Sequence, residues 1–284
     1  MHELDIIIPA YNEEESIADT IKGIKEVVGG NYKIIVVDDA SSDNTAKVAA
    51  NSGAEVVTHP YRIGNGASIK TGLRKATAQL VLLMDADGQH APEDIPRLLQ
   101  EIDKFDMVIG ARSFSGFCLR NLANRVYNLF ASYVTQFAIL DLTSGFRLVK
   151  RNVALKYLYL LPNGFSSPST ITLSFLKTGR TIKYVPILSQ VRKSGRSKIN
   201  LVYDGVNFML IIARISTFFA PLRVFLPVSL LFFASGLFYY LYTFISSHRF
   251  TNMAVFLLVS SVLIFMLGLI SEQISQLRMD KTED

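Results

Sequence analysis

Apolar positions fall in short runs along the first two-thirds of the chain and in two long blocks near its end. Runs of strand length occur at Ile6-Ile7-Ile8, Ile34 to Val37, Val56-Val57, Leu80 to Met84 and Met107 to Ile109. Between them, apolar residues recur at helical spacing over Ser16 to Val28, Asn44 to Asn51, Ala67 to Ala78 and Pro92 to Lys104. Helix starts are signalled by Ser42-Asp43 ahead of Thr45, and by Pro92 followed by Glu93 and Asp94. This alternation predicts an α/β fold, a mostly parallel sheet with helices on both faces. In such sheets ligands gather at the carboxyl ends of the strands.

The two long blocks, 224–247 and 250–271, carry no charged residue. Each exceeds the roughly 20 residues that a helix needs to cross a bilayer. Only Ser247-His248-Arg249-Phe250 links them, so a transmembrane hairpin is expected. Lys and Arg are commoner before the first block than in the link, and Arg278 and Lys281 follow the second. The positive-inside rule then puts both ends in the cytoplasm of a multi-pass membrane protein. Residues 203–223, apolar apart from Asp204, Arg214 and a few others, are expected to form an interfacial amphipathic helix. The expected organisation is a body over 1–202, that helix, and a hairpin with a short cytoplasmic tail over 224–284. Catalytic work would then be done on the cytoplasmic face of the cell membrane.

Composition agrees with this division, since 50% of the residues are hydrophobic. The single cysteine, Cys118, excludes an internal disulfide framework. Met1 to Asp5 lack a basic segment, so no signal peptide is expected. A net charge of +5 suits an anionic bilayer or phosphate-bearing substrates and is too diffuse for nucleic acid.

Three polar clusters follow predicted strands: Pro9-Ala10-Tyr11-Asn12-Glu13; Asp38-Asp39 with Ser41, Asp43 and Thr45; and Asp85-Ala86-Asp87-Gly88-Gln89-His90. Residues two apart in extended backbone point to one side. Asp85 and Asp87 can therefore meet one hard cation, Mg²⁺ or Mn²⁺, that keeps positions open for diphosphate oxygens. Taken alone, an Asp-x-Asp is more often a solvated turn, and Asp38-Asp39 could equally cap the helix near Thr45. Gly64-Asn65-Gly66 does not match a dinucleotide fingerprint, no P-loop is present, and four histidines with one cysteine give no zinc spacing.

Together these strings resemble the inverting, metal-dependent family 2 glycosyltransferases of GT-A (Rossmann-like) fold, in the branch of dolichyl-phosphate mannose synthases and polyprenyl-phosphate glycosyltransferases. Further matching strings are Gly64-x-Gly66 with Gly72, Gly110-Ala111-Arg112, Asp141-Leu142-Thr143-Ser144-Gly145-Phe146-Arg147, and Arg192-x-x-Gly195-x-Ser197-Lys198. The resemblance covers about residues 4 to 200. It implies that Pro9, Tyr11, Glu13, Val37 and Asp39 hold the base and ribose of a nucleotide sugar. It further implies that Asp85, Asp87 and Gln89 hold the metal, with Ala86 lining the donor phosphates. Phosphate contacts are implied for Arg112, Arg192 and Lys198, joined by Arg125 and Arg147. Asp87 and Asp141 are the candidate catalytic residues, Asp141 either as a base or as a brace for an Arg and the Thr143-Ser144-Gly145 turn. Two departures stand out: Thr170 occupies a position that is acidic in many relatives, and the absence of tryptophan favours single-sugar transfer over polymerisation.

The implied reaction moves one hexose from a UDP- or GDP-sugar to a polyprenyl (dolichyl or undecaprenyl) phosphate. Two unit charges near 4 Å repel by about 4 kcal/mol at an effective dielectric of 20. An acceptor phosphate approaching a diphosphate therefore needs a divalent ion and fixed cations. An ionised phosphate needs no base, unlike a hydroxyl. Two alternatives stand beside this reading: transfer to a hydroxyl-bearing lipid, and a catalytically silent sugar-nucleotide-binding scaffold. Homo-oligomerisation through the membrane helices is left open.

Overall fold

The computed structural model describes residues 3–112, 119–164, 166–187 and 219–280. Expectations for Arg192, Lys198 and the interfacial helix as far as residue 218 lie outside these residues. The chain forms two compact units: Met1–Ala131 with Phe137–Asn200, and Ser132–Gln136 with Leu201–Asp284.

The first unit is built on a seven-stranded sheet in the order β3-β2-β1-β4-β6-β5-β7. Its strands are β1 (Leu4–Ala10), β2 (Tyr32–Asp38), β3 (Glu55–Thr58), β4 (Leu80–Leu83), β5 (Met107–Arg112), β6 (Arg147–Lys150) and β7 (Ile182–Ile187). All neighbours are parallel except β6, which runs antiparallel to both β4 and β5. The five strands expected from the apolar runs are present. The sequence pattern did not single out β6 and β7. β6 is four residues bracketed by Arg147 and Lys150, and β7 contains Pro186, so neither shows a plain apolar run.

Helices α1 (Ile17–Val27), α2 (Thr45–Asn51) and α3 (Asn65–Lys75) lie where the spacing places them. The helix expected over Pro92 to Lys104 is broken instead. Only α4 (Ile95–Leu99) is α-helical, between 3₁₀ turns at Pro92–Asp94 and Ile102–Lys104. Pro96 lacks an N–H and its ring crowds the carbonyl of Pro92, so a continuous i→i−4 ladder cannot run through this stretch. Helices α5 (Leu119–Thr135), α6 (Arg151–Lys156) and α7 (Ser167–Lys177) complete the body.

Strand alternation sets the layers. Ile6 and Ile8 of β1 join Ile17, Ile21 and Ile24 of α1 and Leu98 of α4 in one buried cluster. Ile7 points to the other face, against α3. There Gly72 is so close that a Cβ would lie 2.4 Å from Ile7 Cγ2. Overpacking of this kind costs about 1–3 kcal/mol. Gly72→Val is therefore expected to lower the thermal unfolding midpoint of the purified protein, measured by calorimetry.

The second unit holds α8 (Pro221–Ser247) and α9 (Asn252–Asp280), packed against each other. Both are long and apolar enough to cross a membrane, with mean hydropathy 1.9 and 2.8. Pro221 sits in the first turn of α8, where its missing N–H costs nothing, and His248 ends the helix in a left-handed conformation (φ 48°). Gly236 lets Leu257 and Leu258 approach, and Ser229 Oγ donates to the Ser261 carbonyl at 2.9 Å. Small and hydroxyl residues at a helix contact are typical of packing in lipid. The outer faces leave Phe238, Ile245, Leu263 and Leu277 exposed, as suits hydrocarbon and not water.

Candidate active site

The three polar clusters meet at the carboxyl ends of β1, β2 and β4. The first two interlock through side-chain to backbone hydrogen bonds. Asn12 N donates to Ser41 Oγ (3.0 Å), Ser42 N to Asn12 Oδ1 (2.9 Å), Glu13 N to Thr45 Oγ1 (2.8 Å) and Asn44 N to Glu14 Oε2 (2.8 Å). Asn12 and Ala40 take positive φ (53° and 59°), which turns each chain sharply after its strand. The structure divides the labour among the acidic residues. Asp43 Oδ1 accepts from Thr45 N (3.0 Å) at the start of α2, and Asp38 accepts from Ser41 N (3.3 Å). Asp43 thus anchors the turn that leads into α2, while Asp39 lines the cleft.

Asp39 is buried, and three donors surround it. Oδ1 accepts from Ile63 N (2.9 Å) and contacts His59 Nδ1 (2.8 Å), while Oδ2 accepts from Gly64 N (2.8 Å). Burial pushes its pKa up, but the hydrogen bonds from His59, Ile63 and Gly64 outweigh that and hold it below the usual carboxylate value. His59 Nε2 reaches Thr71 Oγ1 at 2.9 Å, which ties Asp39 to α3. The Gly64-x-Gly66 string has a steric reason. A Cβ at Gly64 would lie 2.4 Å from the Asn163 carbonyl oxygen. At Gly66 it would lie 2.2 Å from both Pro162 O and Ser167 Oγ.

These elements enclose a cleft of about 410 Å³ lined by Pro9, Tyr11, Glu13, Asp39, Arg62 and Ser68, with Asp85, Ala86 and Asp87 at one side. A smaller cavity of about 120 Å³ shares Pro9, Asn65 and Asp85 and extends the lining to Thr143, Gly145 and Pro168. Asp85 presses on Gly145, where a Cβ would come within 2.3 Å of its Oδ2. Asp87 Oδ1 accepts from Gln89 N (3.1 Å), which closes the turn at Gly88 (φ 70°). Sequence inspection missed Arg62. Its guanidinium lies 4.1 Å from the ring centre of Tyr11, within cation–π range.

Other expected residues stand elsewhere. Val37 is fully buried in β2, and Gln89 does not line the cleft. Arg112 grips Asp141 with a bidentate fork, Nε to Oδ2 at 2.8 Å and Nη2 to Oδ1 at 3.1 Å, and Nη2 also reaches Thr143 Oγ1 at 2.7 Å. Burial lowers the Arg112 pKa, but the Asp141 hydrogen bond and charge more than offset it and raise it. Asp141 is fully buried and also accepts from Thr143 N at 3.1 Å, so its oxygens are engaged in bracing this turn. Arg147 is 1% exposed and bonds Ser144 O, Pro168 O (2.7 Å) and Thr172 Oγ1 (3.0 Å), a strut between β6 and α7. Burial brings its pKa down to about 10. Arg125 is exposed on α5. Thr170 Oγ1 donates to Ser166 O at 3.0 Å within α7.

The family model for glycosyl transferase family 2 matches residues 5–158, which hold strands β1 to β6 and all three clusters. The chain belongs to glycosyl transferase family 2. Over residues 220–277 this glycosyltransferase also matches the model of the GtrB C-terminal hairpin. It is 30% identical over 227 residues to an uncharacterized protein of Methanocaldococcus jannaschii, covering 75% of this chain and 93% of that one. It is 29% identical over 223 residues to an undecaprenyl-phosphate 4-deoxy-4-formamido-L-arabinose transferase of Enterobacter, covering 72% of this chain and 67% of that one. Among solved structures, glucosyl-3-phosphoglycerate synthase of Mycobacterium tuberculosis with Mn²⁺, UDP and glucosyl-3-phosphoglycerate superposes with TM-score 0.62. Identity is 21%, over 76% of this chain and 79% of that one, a likeness of fold. The GT-A architecture of the glycosyltransferase is thus shared with a nucleotide-sugar enzyme of known structure.

Proposed function

We propose that this glycosyltransferase moves a single hexose from a UDP- or GDP-sugar to a polyprenyl phosphate at the cytoplasmic face of the membrane, with a divalent cation. The observation that carries the reading is the carboxylate pair Asp85 and Asp87 beside the cleft lined by Tyr11, Glu13 and Asp39, in one chain with an apolar helical hairpin. The relative from Enterobacter, named for transfer to undecaprenyl phosphate, supports the acceptor class.

The donor set suits Mg²⁺ or Mn²⁺. Two carboxylates supply hard oxygen ligands, and the bare Gly145 leaves room for Asp85 beside them. Among the described residues no group of three or more His, Cys, Asp or Glu could hold a metal. Further ligands would come from oxygens of the donor itself, and the family resemblance adds the Gln89 amide, two residues beyond Asp87. When bound, the cation would neutralise charge on the departing nucleoside diphosphate.

The remaining work falls to the chain. Tyr11 and Arg62 offer a stacked aromatic and cationic wall for the base, and Asp39 holds the loop at Gly64 that closes the cleft. Arg112, paired with Asp141 and bonded to Thr143, braces the turn that sets Gly145 against Asp85. Arg192 and Lys198 are assigned to the acceptor phosphate on the motif that contains them. An ionised phosphate nucleophile leaves positioning and charge neutralisation as the main tasks.

The test is a panel of radiolabelled nucleotide sugars incubated with purified protein, Mg²⁺ or Mn²⁺ and, in separate runs, polyprenyl phosphate, diacylglycerol or ceramide. Label from one UDP- or GDP-hexose is expected in the organic extract. Label that appears only with diacylglycerol or ceramide would replace the acceptor reading.

A further inference from the structure

Beside Asp85 lies a buried imidazole that does not line the donor cleft. His90 is 3% exposed, and its Nδ1 has no hydrogen-bond partner among the described residues. That nitrogen stands 4.0 Å from Asp85 Oδ2. The ring is held in place by stacking on Phe146, with centroids 5.2 Å apart and planes 20° from parallel. Phe146 is fully buried in the cluster that joins α1, α4 and the sheet. On another side, Gly145 closes on the same Asp85 carboxylate.

A buried polar nitrogen left unpaired costs about 1–3 kcal/mol, and nearly all such groups in folded proteins find a partner. The acceptor facing this one is Asp85 Oδ2. Closing the gap by about 1 Å would bring the pair into hydrogen-bond range. The Asp85 side chain is half-exposed and has room to rotate toward it, whereas the ring is buried and stacked on Phe146. Carboxylates that ligate metals are commonly held by outer hydrogen bonds of this type.

We propose that His90 is the positioning residue of Asp85: Nδ1–H, on a ring locked against Phe146, takes one carboxylate oxygen and aims the other at a divalent cation. The proposal rests on the metal reading above. It assigns the Nδ1–H tautomer and makes His90 an outer partner, not a ligand.

Mn²⁺ is titrated into the purified full-length protein in detergent, with UDP and with GDP in separate runs, and free Mn²⁺ is read by electron paramagnetic resonance. Wild type is expected to bind and Asp87→Ala to lose binding. His90→Phe keeps a ring on Phe146 but removes the N–H, and it is expected to bind about 10–100-fold more weakly. His90→Asn, whose amide can reach Asp85, should recover part of that loss. If His90→Phe does not fold, the isosteric pair His90→Asn and His90→Leu reads the same N–H, and Asn should bind more tightly. His90→Phe matching wild type while Asp87→Ala loses binding would overturn the role of His90 and leave the metal reading standing. Equal affinity of the Asn and Leu variants would do the same. No Mn²⁺ binding by wild type would overturn both. Nitrogen hyperfine coupling on the bound Mn²⁺ that vanishes in His90→Phe would make His90 a ligand and overturn the positioning role.

Discussion

Asp87→Ala is expected to abolish sugar transfer, by about three decades or more in turnover, while the protein stays folded. The size follows from charge. A cation on a departing diphosphate contributes several kcal/mol to the transition state, and each 1.36 kcal/mol is a factor of ten. The fold should survive because Asp87 is half-buried at the cleft rim, where its Oδ1 accepts from Gln89 N in its own turn. Loss of such a bond costs about 0.5–1.5 kcal/mol. Turnover measured beside the thermal midpoint separates the two effects. Chelation by EDTA should reproduce the loss in wild type, and added Mg²⁺ or Mn²⁺ should reverse it. Full activity in EDTA would remove the cation from the proposed reaction.

Polyprenol lacking its phosphate is expected to accept no sugar under conditions where the phosphate is turned over. Two carboxylates near the Asp85–Asp87 pair that could serve as a base are already engaged. Asp141 is fully buried and held by Arg112 and Thr143, and Asp39 is held by His59, Ile63 and Gly64. A hydroxyl needs its proton removed in the transition state, which is worth about 10²–10⁴-fold when a base is placed for it. An ionised phosphate does not. Organic-extractable label from both acceptors decides the matter, and equal transfer to the alcohol would restore the hydroxyl-acceptor reading. On the same footing Lys198→Ala should cost one to two decades with polyprenyl phosphate, the size of a lost charge-assisted contact.

Much of the architecture was legible because its signals are local. Ile6 to Ile8, Ile34 to Val37 and Leu80 to Met84 are apolar runs, and each ends at the cluster that forms one wall of the cleft. The uncharged blocks around Phe238 and Leu263 needed only length and composition to be assigned as long apolar helices. Gly66 and Gly72 could be marked as motif positions. Their reason is steric and long-range, since Pro162, Ser167 and Ile7 occupy the space where a Cβ would go.

What the amino-acid order determined by itself, then, is the alternation of strands and helices, the polar clusters at three strand ends, and the hairpin. Hydrophobic periodicity and chain length dictate all of these without knowledge of neighbours in space. Tertiary structure alone decided the roles of individual charges. Arg112, Arg125 and Arg147 are alike in sequence, yet one clamps Asp141, one is exposed on α5, and one is a buried strut against Pro168 and Thr172. Asp38, Asp39 and Asp43 likewise part company only once Ser41, Gly64 and Thr45 arrive. A charge takes its function from the donors, acceptors and solvent within a few ångströms. Those partners lie some 25 to 60 residues away along the chain in the cases of Asp39, Arg112, Arg147 and Asp85, the last because β6 inserts antiparallel between β4 and β5 and carries the 141–147 turn to it.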